Sequence, residues 1–258
     1  MSSLSHPDSG CLVRTFCYPH KARIEISRKA MKKHYLLALC TIIISSTSAF
    51  AAPPAKTAKK PPPPDYIPAR WKYSWKYQTT TADGKQTNFS MKDIHDDKQS
   101  DGSIWHQIQV ETSPTQKFSD WYSKGNGLVL DHHLEYEANG MKADYLPPKQ
   151  ILKHPLQSGD SWQWAGTGMM NTASTESYTV SGPEEIVVPA GKFNAMKVVS
   201  SVNTGGNKAT KTYWYGPNVG LVKSITENGP VKSTTELVSY DFPKLLPGEL
   251  EAEINRAR

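Results

Sequence analysis

The densest run of groups able to do chemistry is Asp131-His132-His133-Leu134-Glu135-Tyr136-Glu137. Imidazoles and carboxylates are the nitrogen and oxygen donors that hold divalent metals, and they also serve as general acids and bases. On an extended strand, alternation puts Asp131, His133, Glu135 and Glu137 on one face as a candidate ligand row. The other face carries Leu128, Leu130, Leu134 and Tyr136, with His132 among them, a stripe suited to burial. A polar row opposite an apolar stripe is the pattern of a half-solvated strand, so the run is assigned no metal and no catalytic residue. A hydrolase or metal-dependent enzyme using His132, His133 and the neighbouring carboxylates is the alternative. A second run, Asp93-Ile94-His95-Asp96-Asp97, has cation-binding groups, but it precedes an Asp101-Gly102 turn within a polar stretch and reads as a loop. There is no G-x-S-x-G elbow, and the glycine pairs lie between strands without the following helix that would hold a phosphate. The sequence names no cofactor.

The other candidate site is aromatic. Arg70-Trp71-Lys72-Tyr73-Ser74-Trp75-Lys76-Tyr77-Gln78 alternates strictly, so a strand here aligns Trp71, Tyr73, Trp75 and Tyr77 on one face. That stripe reads first as the core face of an opening strand, and second as the wall of a ligand pocket or a sugar-stacking platform. All seven Trp and ten of the twelve Tyr follow residue 51, many for one domain, and a wide barrel leaves some of them facing a cavity.

What positions these residues begins with a leader. Residues 1–30 form an upstream extension, with Met31 reading as the start. Met31-Lys32-Lys33, an apolar run from Tyr35 to Ile44, and Ser45 to Ala51 give the charged, apolar and small-residue regions of a signal peptide spanning 31–51. The apolar run is about half the length a bilayer span needs. Cleavage is expected between Ala51 and Ala52, leaving no integral membrane segment and a periplasmic or extracellular protein. Cys11, Cys17 and Cys40 all lie in this leader, so the domain beyond it relies on neither disulfides nor cysteine-held metal. Seven of the 30 basic and two of the 24 acidic residues also precede residue 52, which leaves the rest nearly neutral and gives no nucleic-acid surface. Residues 52–69, rich in Pro and Lys, read as an extended spacer.

From 70 to 243, turn signals recur at hairpin intervals between runs of β-branched and aromatic residues. This is an all-β pattern of about a dozen antiparallel strands, followed by a tail or short helix over 244–258. Trp121-Tyr122, four turn-prone residues and Gly127-Leu128-Val129 recur as Trp214-Tyr215, four residues and Gly220-Leu221-Val222, 93 residues later. The spacing predicts two similar halves, 70–156 and 157–243, in a curved antiparallel sheet or half-open barrel, with Gly127 and Gly220 at positive φ. In the second half, Gly159 and Asp160 shape a lead-in loop that delivers Trp162 into a strand. Val188-Pro189-Ala190-Gly191-Lys192-Phe193 reads as a hairpin turn with Gly191 left-handed and a one-residue bulge.

The phrases P-L-x-x-G-D-x-W (from Pro155), V-P-A-G-x-F (from Val188) and W-Y-x-x-x-x-G-L-V-K (from Trp214) together resemble an uncharacterised family of secreted bacterial β-domains. The resemblance covers roughly Pro155 to Lys223. It implies a β-rich fold akin to envelope proteins that hold or pass lipids, and it supplies no catalytic residues. The expected function is a non-enzymatic exported protein that binds a lipid-like or glycan ligand, or an envelope partner, on a curved sheet, with Trp71, Tyr73, Trp75 and Tyr77 as candidate contacts.

Overall fold

The first strand begins later than its alternation suggests. Lys72 is left-handed (φ 72°), a conformation costly for a long side chain, and it breaks the extended run ahead of Ser74. In the computed structural model, which describes residues 61–168, 171–249 and 251–252, β1 is Ser74–Thr81. The strands that follow are β2 (Gln86–Lys98), β3 (Ile104–Ser113), β4 (Gln116–Gly125), β5 (Leu128–Tyr136), β6 (Met141–Lys153), β7 (Ser161–Thr167), β8 (Ala173–Val188), β9 (Gly191–Thr204), β10 (Asn207–Gly216), β11 (Gly220–Asn228) and β12 (Val231–Asp241). The upstream extension, the signal peptide, its cleavage point and the spacer as far as residue 60 lie outside the described residues.

Each strand pairs antiparallel with its neighbours in chain order, and β12 pairs back onto β1, so the sheet closes into a barrel. Closure removes the free edges an open curved sheet would present. The ring is uneven. β1 and β12 pair along all of β1, whereas β6 and β7 share a single register pair, Leu146 with Thr167. The cause is local: Pro147 and Pro148 occupy β6 where ladder donors are needed, and proline has no N–H to give. Two indoles span the gap instead. Trp162 Nε1 donates to the Gln150 carbonyl at 3.1 Å, and Trp164 Nε1 to the Pro147 carbonyl at 3.0 Å.

The loops behave largely as their residues dictate. Gly127 (φ 74°) and Gly220 (φ 96°) are both left-handed. The loop before β7 matches its reading: Gly159 has φ 91°, and the Asp160 carboxylate accepts from the Gln157 N–H at 2.9 Å. The β8–β9 turn differs from expectation, because Val188 pairs directly with Gly191 across a two-residue turn, without the bulge. The spacer also ends earlier than its composition suggests. Ala69 is buried, Tyr66 and Ile67 pack on the apolar core, and the Ile67 N–H donates to Asp65 Oδ1. These apolar residues close a stretch whose Pro and Lys content otherwise reads as a spacer. At the other terminus, the Ala252 N–H reaches the Gly248 carbonyl at 2.9 Å, one helical turn.

Candidate functional site

Two apolar clusters build the interior. One joins Val129, Leu152, Trp162, Tyr178, Met196, Val198 and Tyr215, and the other joins Trp75, Tyr77, Val188, Ala195, Trp214, Val222 and Leu237. They do not fill it. A cavity of about 240 Å3 remains, walled by Trp75, Tyr77, Ile108, Val198, Tyr215 and Leu221 among others. Ile67, Pro68 and Ala69 line it as well, and Asp65 is anchored to both W-Y turns. Its carboxylate accepts from Lys124 Nζ at 2.7 Å, and its backbone exchanges bonds with Asn218 at 2.7 and 2.9 Å. A more open recess of about 790 Å3, lined by Trp164, Val202 and Thr210, shares Glu176 with the cavity.

Of the aromatic stripe, Trp75 and Tyr77 reach the cavity, each with its polar atom satisfied: Trp75 Nε1 donates to the Val219 carbonyl and Tyr77 Oη to that of Leu221. Trp71 and Tyr73 are not part of the wall. Lys72 Nζ sits over the Trp71 ring, and Tyr73 stacks on Phe242. Trp71 and Tyr73 precede β1, which begins at Ser74, whereas Trp75 and Tyr77 lie within it.

The acidic row of β5 is also divided. Tyr122 of β4 pairs with Asp131, but Trp121 pairs with His133, so His132 is an extra residue that shifts the alternation. Asp131 consequently turns into the cavity, buried, while His133 lies with Asp144 (2.6 Å) and Glu135 (3.7 Å) in a partly exposed ion-pair cluster. Leu128, Leu130 and Tyr136 are only half-buried, and Val129 and Leu134 are the core residues. His132 Nε2 lies 2.7 Å from Ser123 Oγ, and its ring stacks on Trp105. Burial holds His132 below its ordinary range, so the neutral ring can accept from the serine hydroxyl. That Ser–His pair carries no sequence signal, since the two residues lie on different strands.

The Asp93–Asp97 run belongs to β2 and is no loop. Ile94 is its extra residue, so Asp93 and Asp96, three apart, share a face, and both are fully buried against His106 of β3. His106 Nδ1 is 2.6 Å from Asp96 Oδ1 and 3.4 Å from Asp93 Oδ2. Burial opposes the imidazolium, but the bonds to Asp93 and Asp96 outweigh it and raise His106 to about 9. Burial pushes Asp93 up to about 7, while the His106 bonds and charge hold Asp96 below the usual carboxylate range despite its own burial. The three have donor atoms within 4.8 Å of one another, a set able to hold a cation, and in this geometry they form an Asp–His–Asp ion triad.

Register carries this triad toward the cavity. Asp96 pairs with His106, His106 with Tyr122, Tyr122 with Asp131, and Asp131 with Lys149, an ionisable row across five strands. Lys149 Nζ sits 3.7 Å from Asp131 and 3.9 Å from Glu176. Asp120, whose carboxylate accepts from Tyr122 Oη, is raised by burial to about 6.

No curated protein matches the chain in sequence at a significant level. Among solved structures, a Bacteroides fragilis protein described as exported, with a YmcC-like fold, aligns over 69% of this chain and 100% of its own at 16% identity and a TM-score of 0.50. A Parabacteroides distasonis protein described as a lipoprotein covers 70% of this chain and 100% of its own at 16% identity and a TM-score of 0.47. The stretch that carried the sequence resemblance is matched independently: residues 154–237, from the loop before β7 into β12, match the uncharacterised family described as DUF3108-like.

Proposed function

We propose that the protein is an exported binding protein that takes a small lipid-like ligand inside its barrel. The observation that carries this reading is the aromatic and aliphatic cavity left in the interior of a ring wider than the roughly eight-stranded barrels that side chains fill. Its volume of about 240 Å3 lies just below the ~300–1,000 Å3 of typical small-molecule sites, which fits one short chain or ring and disfavours a glycan of several units. Trp75 and Tyr77 are the contacts retained from the aromatic stripe. The faces turned to solvent carry cross-strand ion pairs such as Glu185–Lys192 and Glu227–Lys232. That is the reverse of the apolar outer band of a membrane-spanning barrel. The leader at 31–51 supports export, in keeping with the description of the Bacteroides fragilis neighbour.

Native mass spectrometry of protein recovered from its own envelope tests the reading. A stoichiometric small amphiphile is expected in the wild type and not in Ile151→Trp, whose indole would occupy the cavity. Recovery of ligand-free wild-type protein that binds no apolar dye would refute it.

The Ser123–His132 pair favours a second reading, a hydrolase, because 2.7 Å is a nucleophile-to-base distance. Against it, Ser123 is buried and Trp105 covers the imidazole. Esterase activity lost in Ser123→Ala would establish this reading, and its absence in the wild type would remove it.

A further inference from the structure

The two lysines and two carboxylates that line the cavity are unevenly paired. Lys149 is shared between Asp131 and Glu176, and Glu176 also accepts from Tyr178 Oη. Lys211 of β10 lines the same cavity, and among the described residues it forms no ion pair within 4 Å. Asp131 Oδ1 is buried without a hydrogen-bond partner. Burial and the neighbouring Lys149 charge hold the Lys211 ammonium below the usual lysine range, and burial and the Asp120 charge push the Asp131 carboxyl well above its own although Lys149 lies beside it. Around this polar spot the wall is apolar: Ile108, Val198, Leu221 and the rings of Tyr77 and Tyr215.

Resting on the reading above, we propose that the cavity ligand is a carboxylate amphiphile, its anionic group seated between Lys211 and Lys149 beside Asp131 and its apolar body against Ile108, Val198 and Leu221. A carboxylate supplies the charge that Lys211 lacks and accepts a hydrogen bond from it. A neutral ligand of the same shape would leave the ammonium desolvated and unpaired, and a cationic one would add repulsion.

The test uses a neutral solvatochromic dye, Nile red, bound to the protein and displaced by octanoate or by octanol, two probes of equal chain length that differ in charge. Octanoate is expected to displace the dye at a concentration lower by about tenfold, the worth of one charge-assisted contact. In Lys211→Met that preference should vanish while octanol displacement is kept. Lys211→Gln repeats the test should Lys211→Met fail to fold, and Lys211→Arg should retain the preference. Equal displacement by both probes in the wild type, or a preference that survives in folded Lys211→Met, would overturn the carboxylate assignment and leave the cavity reading standing. Failure of the wild type to take up the dye would overturn both.

Discussion

The two W-Y turns share a spacing and differ in almost everything the spacing does not control. They lie six strands apart, at the β4–β5 and β10–β11 hairpins, and in each the tyrosine, Tyr122 or Tyr215, lines the cavity. In the first, β4 runs on to Gly125 and closes through Asn126 and Gly127. In the second, Pro217 stands where the first has Lys124; with no N–H to donate, it ends the strand at Gly216, which pairs directly with Gly220. The tryptophans diverge too. Trp214 is buried among Val188, Ala195 and Leu237, donates to Glu184 and lies under Lys197. Trp121 is half-buried, with the edge of His133 as its ring partner. The contrast extends inward. Strands β2 to β6 contribute Asp93, Asp96, His106, Asp131 and Lys149, while β7 to β11 contribute Trp162, Tyr178, Val180, Val198 and Tyr215, with Glu176 and Lys211 as the charged exceptions. Both halves bury apolar side chains, Ile108, Val110, Val129 and Leu152 among them in the first, but the first half also buries a run of ionisable groups that makes its interior respond to charge.

The tryptophans offer the largest break in that comparison. Trp214→Ala should cost about 3–5 kcal/mol, as large-to-small core changes do, and Trp121→Ala only about 1 kcal/mol. Denaturant melts followed by circular dichroism should show one cooperative transition in each variant, since the barrel closes through both halves. Equal costs would mean the halves are packed alike.

The charged interior predicts a pH dependence. The His106 pKa is raised in the folded protein, so its contribution is fully present below its ordinary value of 6.5 and is lost as pH rises toward about 9. Asp93, raised to about 7, acts in the same direction at lower pH. Thermal stability should therefore fall between pH 6.5 and 9, by on the order of 1–3 kcal/mol, and His106→Gln should flatten the curve. A wild-type melting temperature that is constant or rises over that window would contradict the triad.

The smallest effect is expected at Lys211. Replacing an unpaired, partly buried ammonium with methionine of similar length should stabilise the ligand-free protein by about 1 kcal/mol, seen as a higher melting temperature. A loss of stability would show that Lys211 has a counter-charge in the folded state.

Residue type and period were enough to establish an all-β chain of about a dozen antiparallel strands, the left-handed Gly127, Gly159, Gly191 and Gly220, and the loop that sets Trp162 into β7, because each is decided within a few residues. That Trp75 and Tyr77 share one inward face was legible for the same reason. What escaped depends on single extra residues and on partners distant in the chain. Ile94 and His132 are bulges that turn Asp93, Asp96 and Asp131 to faces strict alternation does not give them, and nothing in their residue types marks them. His106 meets Asp93 and Asp96 only when β3 is in register with β2, Lys149 and Lys211 share a cavity only when β6 and β10 curve around it, and two indoles reach carbonyls 12 and 17 residues away in the chain where Pro147 and Pro148 interrupt the ladder. Local sterics and hydrogen-bond chemistry can be read along a chain. Register and closure are properties of the whole sheet, settled by which faces must be buried together once every strand is in place.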